Sequence, residues 1–229
     1  LRIGAPEIFS GNLLTSIFNK FRYRFPTVTF SLRCDNNESL LSSLSQGRVD
    51  LVLLELNPEP GNKKPLNALY YSSQTLLDQP VVMVCSKQYF NRNISGKTNF
   101  ERLNQCEYLR TNHGSTAIDQ WFQFHYKRLP HDLKYVLTTD NHQSCLDAAR
   151  NGMGLGVIPY HLVSLEVAAG TLSVIDSSGT QMISSLALVQ LKQKVPSLTE
   201  KAFITVLKKE LASFTPQNHP RPRNLLEDE

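Results

Sequence analysis

Asn-Gly-Met-Gly-Leu-Gly-Val-Ile-Pro, residues 151–159, sets three of the chain's eleven glycines into five positions and then runs straight into an apolar strand pattern. Glycine-rich turns beside a helix end are one way a fold presents backbone N–H groups to a phosphate, so the order of elements around this stretch decides its meaning. Upstream, residues from about Asn141 to Asn151 read as a helix; downstream, Val157 and Ile158 read as a strand. The dinucleotide fingerprint and the P-loop both require strand, glycines, helix, and here the order is reversed. The stretch therefore reads as a helix-to-strand turn: Gly152 takes a left-handed C-cap, and Gly154 and Gly156 permit close backbone packing.

Working outward, the same alternation of strand and helix recurs along the chain. Leu1 and Ile3 open as a strand, and Leu13, Leu14, Ile17, Phe18 and Phe21 follow at helical spacing up to Phe25-Pro26. Val28, Phe30 and Leu32 alternate, Leu40, Leu41 and Leu44 stripe a short helix stopped by Gly47, and Val49 to Leu54 reads as a buried strand. Strands separated by helices imply a parallel sheet of βαβ units. Asn57 to Pro65, with three prolines and a glycine, reads as an exposed loop, and Val81 to Cys85 as the next strand.

A second series then begins with its own core. It comprises a helix at Phe100 to Asn104, a strand at Tyr108 to Arg110, and a helix from near Ser115 whose inner stripe is Ile118, Trp121, Phe122 and His125. Strands follow at Val136 to Thr138 and Leu172 to Ile175, with Pro159 opening a helix between them. Leu186 to Leu191 is the last strand, and Leu198, Ala202 and Val206, with Leu207 and Leu211, mark the inner face of a final helix. The tail from Thr215 lacks an apolar period and reads as loosely ordered.

Composition narrows the function classes. The 229 residues are 41% hydrophobic and 19% charged, enough for a sizeable core, and the net charge of +4 is spread out instead of forming a basic stripe for nucleic acid. No apolar run reaches the roughly 20 residues that a membrane-spanning helix needs. The chain opens without Met on a strand pattern, which suggests that a segment has been removed upstream. Cys34, Cys85, Cys106 and Cys145 form no C-x-x-C pair and read as reduced thiols of a cytoplasmic protein. No H-E-x-x-H or G-x-S-x-G occurs, so no metal, no cofactor and no catalytic residue are expected. What does point to a ligand is the placement of three helix starts, near Ile8, Ser115 and Asn141, after strand C-termini, where open parallel sheets bind small molecules.

These residues resemble the effector-binding domain of LysR-type transcriptional regulators. Leu1 to Pro6, Leu13-Leu14, Phe21 through Phe25-Pro26, then Leu44, Gly47 and Val49-Asp50-Leu51 resemble the family's first subdomain. Asn141, Leu146, Ala149 and Gly152 through Pro159 resemble its glycine turn and the "IP" that follows, so that the likeness spans residues 1 to about 210. The resemblance implies an α/β fold of two Rossmann-like subdomains joined by two crossover strands, like the type 2 periplasmic binding proteins. Subdomain I would take residues 1–78 and 190–214, and subdomain II residues 79–189.

It also implies a small-molecule effector in the inter-subdomain cleft, a homodimer or tetramer, no membrane partner, and operator DNA held by a winged helix-turn-helix absent from this chain. Carried over by position, the effector contacts fall at Glu7, Ile8, Ser10, Glu55, Thr111, Asn112, His113, Asn141, His142 and Ile158. Many relatives have Ser or Thr where Glu7 or Ile8 stands. A buried, unpaired carboxylate at Glu7 would repel an anion, which leaves a cationic or neutral effector open. A solute receptor outside the cytoplasm and an enzyme on the same fold are the competing readings.

Overall fold

The computed structural model describes residues 1–56, 67–96, 98–112, 117–175 and 181–213. The expected loop at Asn57 to Pro65, His113, and the tail from Thr215 lie outside the described residues. Among the described residues the chain divides into two compact units, the first holding Leu1–Asp78 and the segment from Ser184 to Ser213, the second Gln79–Ile183. Two strands, β4 (Tyr71–Ser86) and β9 (Met182–Leu191), each run from one unit into the other. The second passage thus comes at Ser184, six residues ahead of the expected 190, because β9 already pairs with the first unit's β3 (Leu51–Leu56) from Ser185.

In the first unit β1 (Arg2–Ala5) lies between β2 (Ser31–Cys34) and β3, parallel to both, and β9 runs antiparallel to β3. Helices α1 (Glu7–Ser10), α2 (Asn12–Arg24) and α3 (Asn37–Ser45) connect these strands, and α9 (Leu198–Ala212) closes the described chain. The side chain of Asn36 starts α3 by accepting from the Ser39 N–H at 2.9 Å, and Gly47 follows its end at φ +66°. Two differences from the sequence expectation share one cause. Phe30 leaves the expected strand and stacks on Phe18 at 4.3 Å, and Phe203 packs edge-on against Phe21 at 5.4 Å. This aromatic cluster draws in the face of α9 that carries Phe203, Leu207 and Leu211, so Leu198, expected inside, is 85% exposed.

Four charges fasten one end of this sheet. Arg2 donates to Asp50 through its backbone N–H (2.8 Å) and guanidinium (2.7 Å), and Lys194 reaches both Asp50 (3.4 Å) and Glu200 (2.6 Å). Burial alone would raise the Asp50 carboxyl, but the Arg2 hydrogen bonds and the Lys194 charge outweigh it and hold it at about 2, below its ordinary 3.8. The folded value is the lower one, so the resulting stability is complete above about pH 4 and is lost as the pH falls toward about 2. After allowance for solvent screening, Asp50→Asn is expected to cost about 1–2 kcal/mol at neutral pH and almost nothing near pH 2, as read by urea unfolding across that range.

In the second unit the period of two along β4 supplies two cores. Val81, Met83 and Cys85 face a cluster with Phe100, Tyr108, Ile118, Trp121 and Phe122, while Val82 and Val84 face Leu146, Ile158, Tyr160 and Val163. Strands β7 (Gly156–Pro159) and β8 (Leu172–Ile175) pair antiparallel with β4, and β5 (Glu107–Thr111) pairs parallel with β6 (Lys134–Thr139). Helices α4 (Lys87–Asn93), α5 (Phe100–Asn104), α6 (Ala117–Tyr126), α7 (His142–Arg150) and α8 (Ser164–Ala168) complete the unit. The sequence reading passed over α4, although Ser86 is a good cap: its hydroxyl accepts from the Tyr89 N–H at 3.1 Å.

The quoted stretch forms the turn from α7 into β7. Gly152 has φ +76°, its N–H donates to the Ala149 carbonyl, and the Met153 N–H donates to the Ala148 carbonyl, which together make a Schellman cap. Gly154 lies against β5, where an added Cβ would stand 2.6 Å from the Glu107 carbonyl oxygen. Gly156 is not crowded in this way, because its nearest neighbours, on Ile158, would lie at ordinary contact distances from 3.5 Å.

Candidate functional site

The parallel pair β5–β6 fixes the site. Each strand ends at its C-terminal side in a polar residue, Thr111 or Thr139, and each is followed by a helix start. A small, open pocket lies in the second unit among Leu109, Arg110, Thr111, Ala117, Ile118, His142, Cys145, Gly156 and Val157. These residues come from β5, from the first turns of α6 and α7, and from the start of β7. Both helices point their N-terminal ends, where the macrodipole is positive, toward this region.

Asn141 sets the start of α7: its side-chain oxygen accepts from the Ser144 N–H at 2.7 Å. Asn112 donates through its side-chain nitrogen to Asp140, tying the end of β5 to the residues that follow β6. Thr111 is 6% exposed, and its hydroxyl has no hydrogen-bond partner among the described residues. Arg110 lies with its guanidinium 4.1 Å from the centre of the Tyr135 ring and donates from Nε to the Thr138 hydroxyl at 3.3 Å. Burial pushes the nearby Asp119 carboxyl above its ordinary value, partly opposed by the Arg110 charge, and burial likewise raises Tyr135.

Of the sequence-predicted contacts, Thr111 and His142 meet at the pocket wall. Asn112 and Asn141 flank it through the links just described. Ile158 is buried opposite Val82 in the β4–β7 ladder, and its neighbours Gly156 and Val157 line the pocket in its place. Glu7, Ile8, Ser10 and Glu55 belong to the first unit. There Glu7 opens α1 at the surface, Ile8 is buried, and the Ser10 hydroxyl donates to the Glu7 carbonyl. Glu55 accepts from the Ser184 hydroxyl at 2.8 Å, and Asn37 brackets its backbone. Cys145, Ala117 and Ile118 line the pocket without having been expected there: Ile118 was read as core and Cys145 as a plain thiol. Cys145 could have been found, since it lies three residues after His142 on the same helix face.

Among the described residues no three His, Cys, Asp or Glu side chains gather as a metal site, and no helix is long and apolar enough to cross a membrane. The family described as the LysR substrate binding domain matches residues 1–212. The HTH-type transcriptional activator CmpR of Synechocystis sp. is 23% identical over 194 residues, which is 83% of this chain and 60% of that protein. The RuBisCO operon transcriptional regulator of Allochromatium vinosum is 23% identical over 164 residues, covering 69% of this chain and 49% of that one. This chain therefore spans about half to three fifths of the length of these relatives. The regulatory domain of Synechocystis PCC6803 CcmR, solved in complex with 2-PG, superposes with a TM-score of 0.73 at 20% identity over 94% of this chain and 98% of that one.

Proposed function

From the premise that this chain belongs to the LysR substrate binding domain family, we propose that it is the effector-sensing part of a DNA-binding transcriptional regulator and that its second unit receives a small molecule in the pocket at Thr111 and His142. One observation carries the reading. Residues placed at an effector site by family position, Thr111 and His142, come from different elements and line one pocket at two helix starts. The relatives named as regulators, and the CcmR domain solved with 2-PG, support it. On this reading the protein acts in the cytoplasm as a homo-oligomer, and a winged helix-turn-helix outside these residues holds the operator. Ligand binding then needs only to favour one conformation by about 1–3 kcal/mol to change how the operator is held.

The test is a thermal-shift and calorimetric screen against a metabolite panel. A ligand that binds only the native state raises the midpoint in proportion to RT ln(1 + [L]/Kd). Thr111→Val keeps the shape and removes a hydroxyl that pairs with no described residue, so it is expected to leave the ligand-free midpoint nearly unchanged while weakening the hit by about 3- to 10-fold. Equal affinity in the variant would move the site away from this pocket.

A further inference from the structure

We propose that Gln79 is a conformational trigger in β4: its carboxamide, unpaired among the described residues, favours a second conformation in which the chain turns at Gln79-Pro80 and the amide is paired. Gln79 is 3% exposed, and both its Oε1 and its Nε2 are buried without a hydrogen-bond partner among the described residues. A primary amide has two N–H donors and an acceptor oxygen, so enclosing it in this way leaves several hydrogen bonds unmade and is unfavourable. Val81 and Met83, two and four residues further along, face the apolar cluster that holds Phe100 and Trp121. By the period of two, Gln79 extends that apolar face, where a leucine or methionine would be the more stable choice.

Other polar residues of the two long strands are paired. Asp78, the preceding residue of β4, accepts from the Ser185 hydroxyl at 2.5 Å, and Ser184, 1% exposed in β9, donates to Glu55 at 2.8 Å. Burial in these strands therefore does not by itself leave a polar group unpaired. The backbone beside Gln79 is weakly secured: Pro80 has no N–H to give to a neighbouring strand, and the ladder with β7 begins only at Val81. A local rearrangement at this point breaks few hydrogen bonds, while the unpaired amide stands to gain some. The two conformations then differ little in free energy, which is the condition under which a small bias shifts their populations. The trigger does not depend on which ligand the pocket takes.

The experiment compares the native chain with Gln79→Met and Gln79→Leu, which remove the amide and keep most of the bulk. Each variant is expected to raise the thermal midpoint by about 2–4 °C, the scale for relieving one unpaired buried group in a chain of this size. Amide relaxation dispersion on the isotopically labelled native chain is expected to show microsecond-to-millisecond exchange at Gln79, Val81 and Val82, and both variants are expected to quench it. An unchanged or lower midpoint in both variants would mean that an enclosed water already pairs the amide, and would overturn the proposal. A raised midpoint without exchange in the native chain would overturn it too, because the amide would then burden a single conformation. Neither outcome bears on the pocket, whose own test is Thr111→Val.

Discussion

Gly154→Ala is expected to destabilise the protein by about 2–3 kcal/mol, the upper part of the range for overpacking, although it adds a single methyl group. The added Cβ would stand 2.6 Å from the Glu107 carbonyl oxygen and 3.0 Å from its carbon, both backbone atoms that no rotamer change can move aside. That carbonyl also accepts the Leu155 N–H at 2.8 Å, and the Leu155 carbonyl accepts the Leu109 N–H at 2.8 Å. Relief of the clash therefore has to stretch the two hydrogen bonds that hold β5 beside the entry to β7. Gly152→Ala is the internal comparison. Its cost is the left-handed conformation at φ +76°, about 1–2 kcal/mol. Trp121, the chain's single tryptophan, is buried in the same unit, so its fluorescence in a urea titration reads both variants. If Gly154→Ala proved as mild as Gly152→Ala, the close approach of the turn to β5 would be wrong.

The contrast between these glycines also shows what a sequence can disclose. Gly152 was legible because a helix stripe ended one residue before it, and left-handed caps follow from local backbone sterics. The need for Gly154 depends on Glu107, about fifty residues away, and only the helix-before-strand order hinted at close packing. Gly156 carried the same expectation, yet a Cβ there meets ordinary contacts. Strand and helix types were mostly readable from apolar period, whereas α9 was rotated in the reading because its face is chosen by Phe18, Phe21 and Phe30, residues far away in sequence. Thr111 and His142 were reached through family position. Arg110 entered the sequence reading only as the end of a strand, since its stacking on Tyr135 is not a property of local sequence.

Trp121→Ala is expected to have the largest effect, a loss of about 3–5 kcal/mol. The indole is 1% exposed and is packed edge-on to Phe122 at 5.6 Å, against His125 at 4.2 Å and against Tyr126 at 6.0 Å, within the cluster that holds Met83, Phe100 and Tyr108. Alanine's helix propensity recovers only a few tenths of a kcal/mol in α6, far less than the cavity costs. Ala117 and Ile118, one turn earlier on α6, line the pocket, so a helix freed from its anchor holds that wall less firmly. The variant should therefore lose ligand affinity along with stability, whereas Thr111→Val loses affinity alone. Circular dichroism replaces fluorescence for the unfolding curve, because the variant removes the only tryptophan. Trp121→Phe, which leaves a smaller void, is expected to recover more than half of the lost stability and to restore ligand affinity in step with it. Affinity that stayed low while stability returned would mean that the indole itself, and not the seating of α6, shapes the pocket.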